Sequence, residues 1–324
     1  MKSAPPLKKA LSQGDTIAII APAGVVNPQE VAAMPAWLAA RGYQAKIYPS
    51  CLAVDADFPY LAGDDALRVA DLHAAFGDPT VAAIVCARGG YGTQRLLPLL
   101  DDAVIAANPK PFVGYSDITA LHSHFNLKLN LPTFHGGMMA VDFIRYACDT
   151  SEKTLFALLT GAVGRNQALA GSATSAVKTR GGGTATGRLL GGNLAMITSS
   201  LGTPWGLDAC IKHAQRPILF IEDINEAPYK IDRMLNQLRL AGILQQLGGV
   251  LVGDFADENA ALAAPVLDKL WQHYFDDLNV PVLTGWPAGH CSPNYALPLG
   301  VLVTLDANQQ SLILAQPIFE LKKN

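Results

Sequence analysis

Over its first 114 residues the chain alternates short β-branched runs with stretches whose apolar residues recur at helical spacing. Residues 16–21 read as a strand closed by the turn Pro22-Ala23-Gly24, and 29–40 as a helix ending near Gly42. A second strand follows at 44–48. Residues 64–76 then form a helix with apolar residues at Leu67, Ala70, Leu72 and Ala75. Continuous apolar runs at 81–86 and 111–114 read as buried strands. This rhythm predicts right-handed βαβ units and a parallel sheet covered on both faces. Such sheets bind ligands beyond the carboxyl ends of their strands, so the residues just after each strand carry the most information.

From residue 160 to about 187 Ala, Gly, Ser and Thr dominate and large apolar side chains become scarce, the texture of a boundary. Beyond it the pattern is richer in strands, at 218–221, 249–252, 280–283, 301–305 and 311–314. One clear helix begins at Pro228, carries Ile231, Met234, Leu235 and Leu238 on one face and stops near Gly242. The expectation is two domains, 1–160 and 188–324, joined by a linker at 161–187 and separated by a cleft. No internal repeat is present.

Composition narrows the class. The chain has 324 residues, half of them apolar, which is enough for a large core, and its net charge of −3 comes without a basic cluster able to track nucleic acid. Lys8-Lys9 reads as part of a solvated tail. No run approaches the roughly 18 apolar residues of a membrane span, and no signal-peptide core is visible. The five cysteines are scattered without CxxC spacing, which speaks against a disulfide framework or a zinc site and suits a reducing compartment. The prediction is a soluble cytoplasmic protein without cofactor, nucleic-acid partner or membrane partner.

Four segments can carry chemistry. In Pro111-Phe112-Val113-Gly114-Tyr115-Ser116-Asp117 a strand runs into a turn before a helix, where a nucleophilic Ser116 projects into a cleft. The competing reading is that Ser116 or Asp117 caps that helix. In Ala87-Arg88-Gly89-Gly90-Tyr91-Gly92-Thr93 the glycines let backbone amides approach a ligand, although neither a dinucleotide fingerprint nor a P-loop is complete. A plain glycine turn accounts for it equally well. The run 218–221 delivers Glu222, with Asp223 and Glu226 beyond it; these acids either orient a histidine or complement the dipole of the Pro228 helix. Finally, His290 lies in a loop dense with Gly and Pro, unlike the helical settings of His73, His122, His124 and His273 or the polar connection at His213. His135 is its competitor. A metal site built from His135, Asp142 and His290 remains an option, without the paired-ligand spacing that would recommend it.

Taken together, these segments resemble the LD-carboxypeptidase (muramoyltetrapeptide carboxypeptidase) family. The matching pieces are Arg88-Gly89-Gly90-Tyr91-Gly92, Gly114-Tyr115-Ser116-Asp117, His135-Gly136, Gly191-Gly192-Asn193-Leu194, Glu222-Asp223, Glu226-Ala227-Pro228-Tyr229, Ile231-Asp232-Arg233-Met234-Leu235, Gly289-His290, Pro293-Asn294 and Leu297-Pro298-Leu299-Gly300. The resemblance implies a flavodoxin-like N-terminal domain, similar to class I glutamine amidotransferases, and a β-rich α/β C-terminal domain. It implies a serine peptidase with Ser116 as nucleophile, His290 as base and then acid, and Glu222 fixing the histidine tautomer. The oxyanion hole is expected at the backbone N–H groups of Asp117 and Gly90, and Asn193 is a candidate for substrate binding or, alternatively, a glycine-turn position. The implied substrate is a murein tetrapeptide, cut between a dibasic residue (meso-diaminopimelate or L-Lys) and terminal D-Ala in peptidoglycan recycling. A homodimer is expected from the same likeness. Two other readings are a microcin C self-immunity peptidase acting on aminoacyl-nucleotide analogues, disfavoured because 181–193 is short and lacks an aromatic, and a non-catalytic two-domain binding protein.

Overall fold

The computed structural model describes residues 4–211, 216–256 and 260–320. The predicted alternation produces five parallel strands: β1 (Thr16–Ile20), β2 (Gln44–Ile47), β3 (Val81–Cys86), β4 (Phe112–Gly114) and β5 (Thr133–His135). Their spatial order is 2-1-3-4-5, the doubly wound order of a flavodoxin-like domain. The connecting helices include Pro28–Ala39, Asp65–Gly77 and Thr119–Leu127. Asn27 and Asp64 cap the first two by accepting from Gln29 N and Leu67 N, which explains where those helices begin.

The second sheet contains β6 (Lys178–Gly181), β7 (Thr184–Asn193), β8 (Ile218–Ile224), β9 (Gly249–Ala256) and β10 (Val282–Thr284). After β11 (Leu297–Leu299), β12 (Leu302–Asp306) and β13 (Ser311–Leu314) complete it in the order β13-β12-β7-β8-β9-β10-β6. β7 to β10 are parallel, while β12, β13 and β6 add antiparallel edges. Helices Pro228–Leu240 and Ala260–Phe275 cover one face, where Leu219, Ile221, Leu235 and Trp271 share a core.

β11 belongs to the first sheet. Leu297 pairs with His135 and Leu299 with Thr133, antiparallel to β5. A core shared by both sheets therefore runs from Ile17, Phe112 and Phe134 through Phe220 and Trp286 to Val303 and Phe319, beside the one under the helices of the second sheet. The segment 161–187, expected as a linker, contributes β6 and the first residues of β7.

The N-terminal stretch is not the solvated tail expected around Lys8-Lys9. Leu7 N donates to Ile318 O at 2.8 Å, and Leu7 and Leu11 are buried. The lysine side chains face outward, Lys9 towards Asp15 at 2.7 Å. Two apolar residues spaced four apart had a core to reach, which a polar average over the segment conceals.

Candidate active site

β4 is buried along its length and delivers Tyr115 and Ser116 at the carboxyl edge of the first sheet. Ser116 has a φ of 63°, the left-handed region, which costs a side-chain-bearing residue about 1–3 kcal/mol. The surroundings hold it there. A Cβ at Gly114 would lie 2.8 Å from Ile118 Cγ2, so the turn closes only over a glycine. Asp117 does not cap the helix that follows. Its Oδ2 accepts from Thr93 N at 2.9 Å, and Thr93 Oγ1 donates to Asp117 O at 2.5 Å, tying the serine turn to the glycine turn after β3. The helix Thr119–Leu127 begins without a side-chain cap, so the capping reading of Ser116 also fails locally.

The glycine turn lies directly against the serine. A Cβ on Gly89 would stand 3.0 Å from Ser116 Cβ and 3.2 Å from Ser116 Oγ. Gly90, with φ of 122°, lines the same cavity as Ser116. Gly24, from the loop after β1, donates its N–H to Gly89 O at 3.1 Å and fixes the turn from the far side.

Glu222 sits within β8 rather than beyond its end. Ile221 pairs with Val252 and Asp223 with Phe255, so β9 carries one extra residue opposite Glu222. This bulge makes room for the histidine loop. Asp254 N donates to Ala288 O at 2.9 Å, and Trp286 N to Val252 O at 3.0 Å. Cβ atoms at Gly253 and Gly289 would lie 2.4 Å from Ala288 O and 2.8 Å from Glu222 Oε2, so both positions require glycine. Asn294 accepts from Gly289 N at 3.0 Å, and its own N–H donates to Ser151 Oγ at 2.8 Å, anchoring the loop to the first half of the chain.

Within this frame His290 Nδ1 meets Glu222 Oε2 at 2.7 Å, with Glu222 fully buried. A carboxylate partner makes Nδ1 the protonated nitrogen and leaves Nε2 free to accept a proton. Burial pulls the His290 pKa down. The hydrogen bond that Nδ1 donates to Glu222 and the charges of Glu222, Asp223 and Asp142 outweigh it and leave it raised. The ring lies edge-on to Tyr115, with centroids 5.0 Å apart, beside the serine turn. Ser116 and His290 line one cavity of about 450 Å³, together with Arg88, Gly90 and Asp142.

The other expected residues fall elsewhere. His135 is buried between Phe220 and Tyr115 with neither ring nitrogen hydrogen-bonded, and burial drives its pKa well below the ordinary value. Asn193 Oδ1 accepts from Met196 N at 3.1 Å, and Nδ2 donates to Asp223 Oδ1 at 2.9 Å. It joins β7 to β8 and is not among the residues lining the cavity of Ser116. Asp223 also accepts from Ala195 N at 2.9 Å, so it serves the helix after β7 rather than the one at Pro228. Glu226 pairs with Lys230 at 3.2 Å. Among the described residues no group of three His, Cys, Asp or Glu is placed to hold a metal ion, and no helix is long and apolar enough to cross a membrane. His213 lies outside the described residues.

Sequence reasoning missed Asp142 as a site group except as a metal candidate. It lines the cavity from a π-helical turn, Met139–Arg145, whose irregular spacing gives no periodic signal. Burial raises its pKa to about 6, against hydrogen bonds from Met138 N at 2.8 Å and the Tyr115 hydroxyl at 3.5 Å.

A strained serine on a strand-to-helix turn, sharing a cavity with a glutamate-bonded histidine, is the architecture of a serine hydrolase. Residues 17–136 match the LD-carboxypeptidase N-terminal domain and 186–305 the LD-carboxypeptidase C-terminal domain. The chain belongs to the LD-carboxypeptidase family and is a serine-type carboxypeptidase. It is 36% identical to a probable murein peptide carboxypeptidase of Bacillus subtilis, over 96% of this chain and 95% of that one. It is 25% identical to the microcin C7 self-immunity protein of Escherichia coli, over 100% and 99%. The crystal structure of a muramoyltetrapeptide carboxypeptidase from Oxalobacter formigenes superposes with a TM-score of 0.75 at 30% identity, covering 93% of this chain and 99% of that one.

Proposed function

We propose that Ser116, His290 and Glu222 form the catalytic triad of an LD-carboxypeptidase that releases terminal D-alanine from murein tetrapeptides, cutting after the L-centre of the dibasic third residue. The observation that carries this reading is the 2.7 Å bond between His290 Nδ1 and buried Glu222, made at the wall of the cavity that Ser116 enters. The murein substrates in the names of the Bacillus and Oxalobacter proteins support the choice of peptide.

In this mechanism His290 Nε2 takes the Ser116 proton as Oγ bonds to the scissile carbonyl carbon, and the carbonyl π electrons move onto oxygen. The backbone N–H groups of Asp117 and Gly90 receive that oxyanion; such a donor is typically worth about 3–4 kcal/mol at the transition state. Collapse breaks the C–N bond while His290 returns its proton to the departing D-alanine amine. Water then attacks the ester, giving its proton to His290, and the tripeptide leaves with a new carboxylate as Ser116 is reprotonated. Glu222 holds the tautomer and offsets the imidazolium charge throughout.

The test is incubation with L,D- and D,D-linked tetrapeptides and assay for free D-alanine. Release from the L,D peptide alone is expected. Ser116→Ala and His290→Ala should each lower turnover by on the order of 10⁴-fold with thermal unfolding unchanged. Full activity in Ser116→Ala removes the proposal.

A further inference from the structure

A peptidase confined to the last residue must recognise a free terminal carboxylate beside the bond it cuts, and the geometry points to Arg88 as the group that binds it. This rests on the reaction proposed above and adds the determinant of its carboxypeptidase character.

Two arginines line the cavity of Ser116, and they differ in how their charge is spent. Arg145 is committed to Glu30, with Nε and Nη2 both 2.6 Å from Oε1. Arg88 Nη1 donates to Val25 O at 3.0 Å and Nε to Gly89 O at 3.2 Å. Carbonyl oxygens fix the plane of the guanidinium but cancel no formal charge. Among the described residues no ion pair involves Arg88. Of its five N–H donors two are used on the loops, which leaves three for a ligand, including both on Nη2. That edge stands beside Gly90, where a Cβ would lie 3.9 Å from Nη2, so no side chain from this position covers it.

The placement also fits. A Cβ added to Gly89 would stand 3.0 Å from Ser116 Cβ, and Arg88, the preceding residue, lines the same cavity. In a substrate the terminal carboxylate follows the scissile carbonyl by one residue, about 3.8 Å between successive Cα atoms. Arg88 leaves the end of β3 and bonds to the loop after β1, so its guanidinium occupies the crevice where the strand order of the first sheet reverses. A planar fork held there matches the two oxygens of a carboxylate and discriminates against a neutral carboxamide.

The experiment compares kcat/KM for one L,D tetrapeptide as the free acid and as its C-terminal amide, with wild type, Arg88→Met and Arg88→Lys. Wild type should favour the acid by about 10²-fold. Arg88→Met should lower the acid rate by that factor and leave the amide rate within about twofold, collapsing the ratio. Arg88→Lys, which keeps charge without the fork, should retain part of the preference. A loss of structure would lower both substrates together, so equal loss on acid and amide overturns the clamp, as does an unchanged acid rate. Should Arg88→Met not fold, inhibition of wild type by D-alanine but not D-alaninamide supports the assignment, and equal inhibition overturns it. Wild-type cleavage of acid and amide at one rate sinks the clamp and leaves the Ser116 chemistry standing. No cleavage of either peptide sinks both.

Discussion

At His290 two opposing influences meet in one side chain. Burial disfavours the imidazolium, yet the Glu222 hydrogen bond, with the carboxylates of Glu222, Asp223 and Asp142, holds the pKa above its ordinary value of 6.5. The proposed base acts only when neutral, so activity must fall as pH drops through that raised pKa. Glu222→Gln removes the hydrogen-bonded charge and leaves burial in place, which lowers the pKa. The acid limb of kcat/KM should therefore move to lower pH, while kcat falls by about 10²-fold less than in Ser116→Ala. An acid limb that stays put or moves upward in a pH–rate profile of the variant would disprove this account. Ser116, Glu222 and His290 stood out as candidates in the sequence because each follows or ends a recognisable segment, and the family resemblance grouped them. Asp142 did not, since an isolated acid between apolar residues resembles any other until Tyr115 and Met138 are seen to enclose it.

The elements around the site are shaped by close approaches that only glycine permits. Gly289 has φ of 125°, and a Cβ there would fall 2.8 Å from both Cβ and Oε2 of Glu222. Gly289→Ala should push the histidine loop off β8, lengthen the Glu222–His290 bond and lower kcat by about 10²-fold. Gly14→Ala is the control. Its φ is 86°, with nothing within 4 Å of the added atom, so it should cost about 1 kcal/mol of stability and no activity. If both variants keep full kcat, the loop tolerates more displacement than this packing allows. At this scale the sequence was readable where strands were long and β-branched, as at β1, β3 and β8. β5 and β11, three residues each, were too short to show alternation, and nothing local announces the bulge that draws Glu222 inside its strand.

Across the whole molecule one core spans both sheets, with a second beneath the helices of the second sheet. β11 crosses from the C-terminal half to pair with β5, and Leu7 at the start of the chain bonds to Ile318 near its end. Phe319 stacks on Phe134 with centroids 6.5 Å apart and is 8% exposed. Phe319→Ala should therefore destabilise the protein by about 3–5 kcal/mol in denaturant unfolding, with kcat per folded molecule unchanged. A loss below about 1 kcal/mol would show that the terminal segment contributes little to the core. The same closure explains why the first half alone lacks the site, because Asn294 and His290 are held against Ser151 and Tyr115 by segments far along the chain.

From the amino-acid order alone came the alternation of strand and helix, the turns after the strands and the serine, histidine and carboxylate candidates. Those features arise between neighbours two to four residues apart, where strand and helix periodicity operate. The meeting of Glu222 with His290 across 68 residues, the anchoring of Arg88 on loop carbonyls and the enclosure of Asp142 were decided only in three dimensions. Each depends on how two twisted sheets pack and where a bulge opens space, and no local pattern encodes that distance.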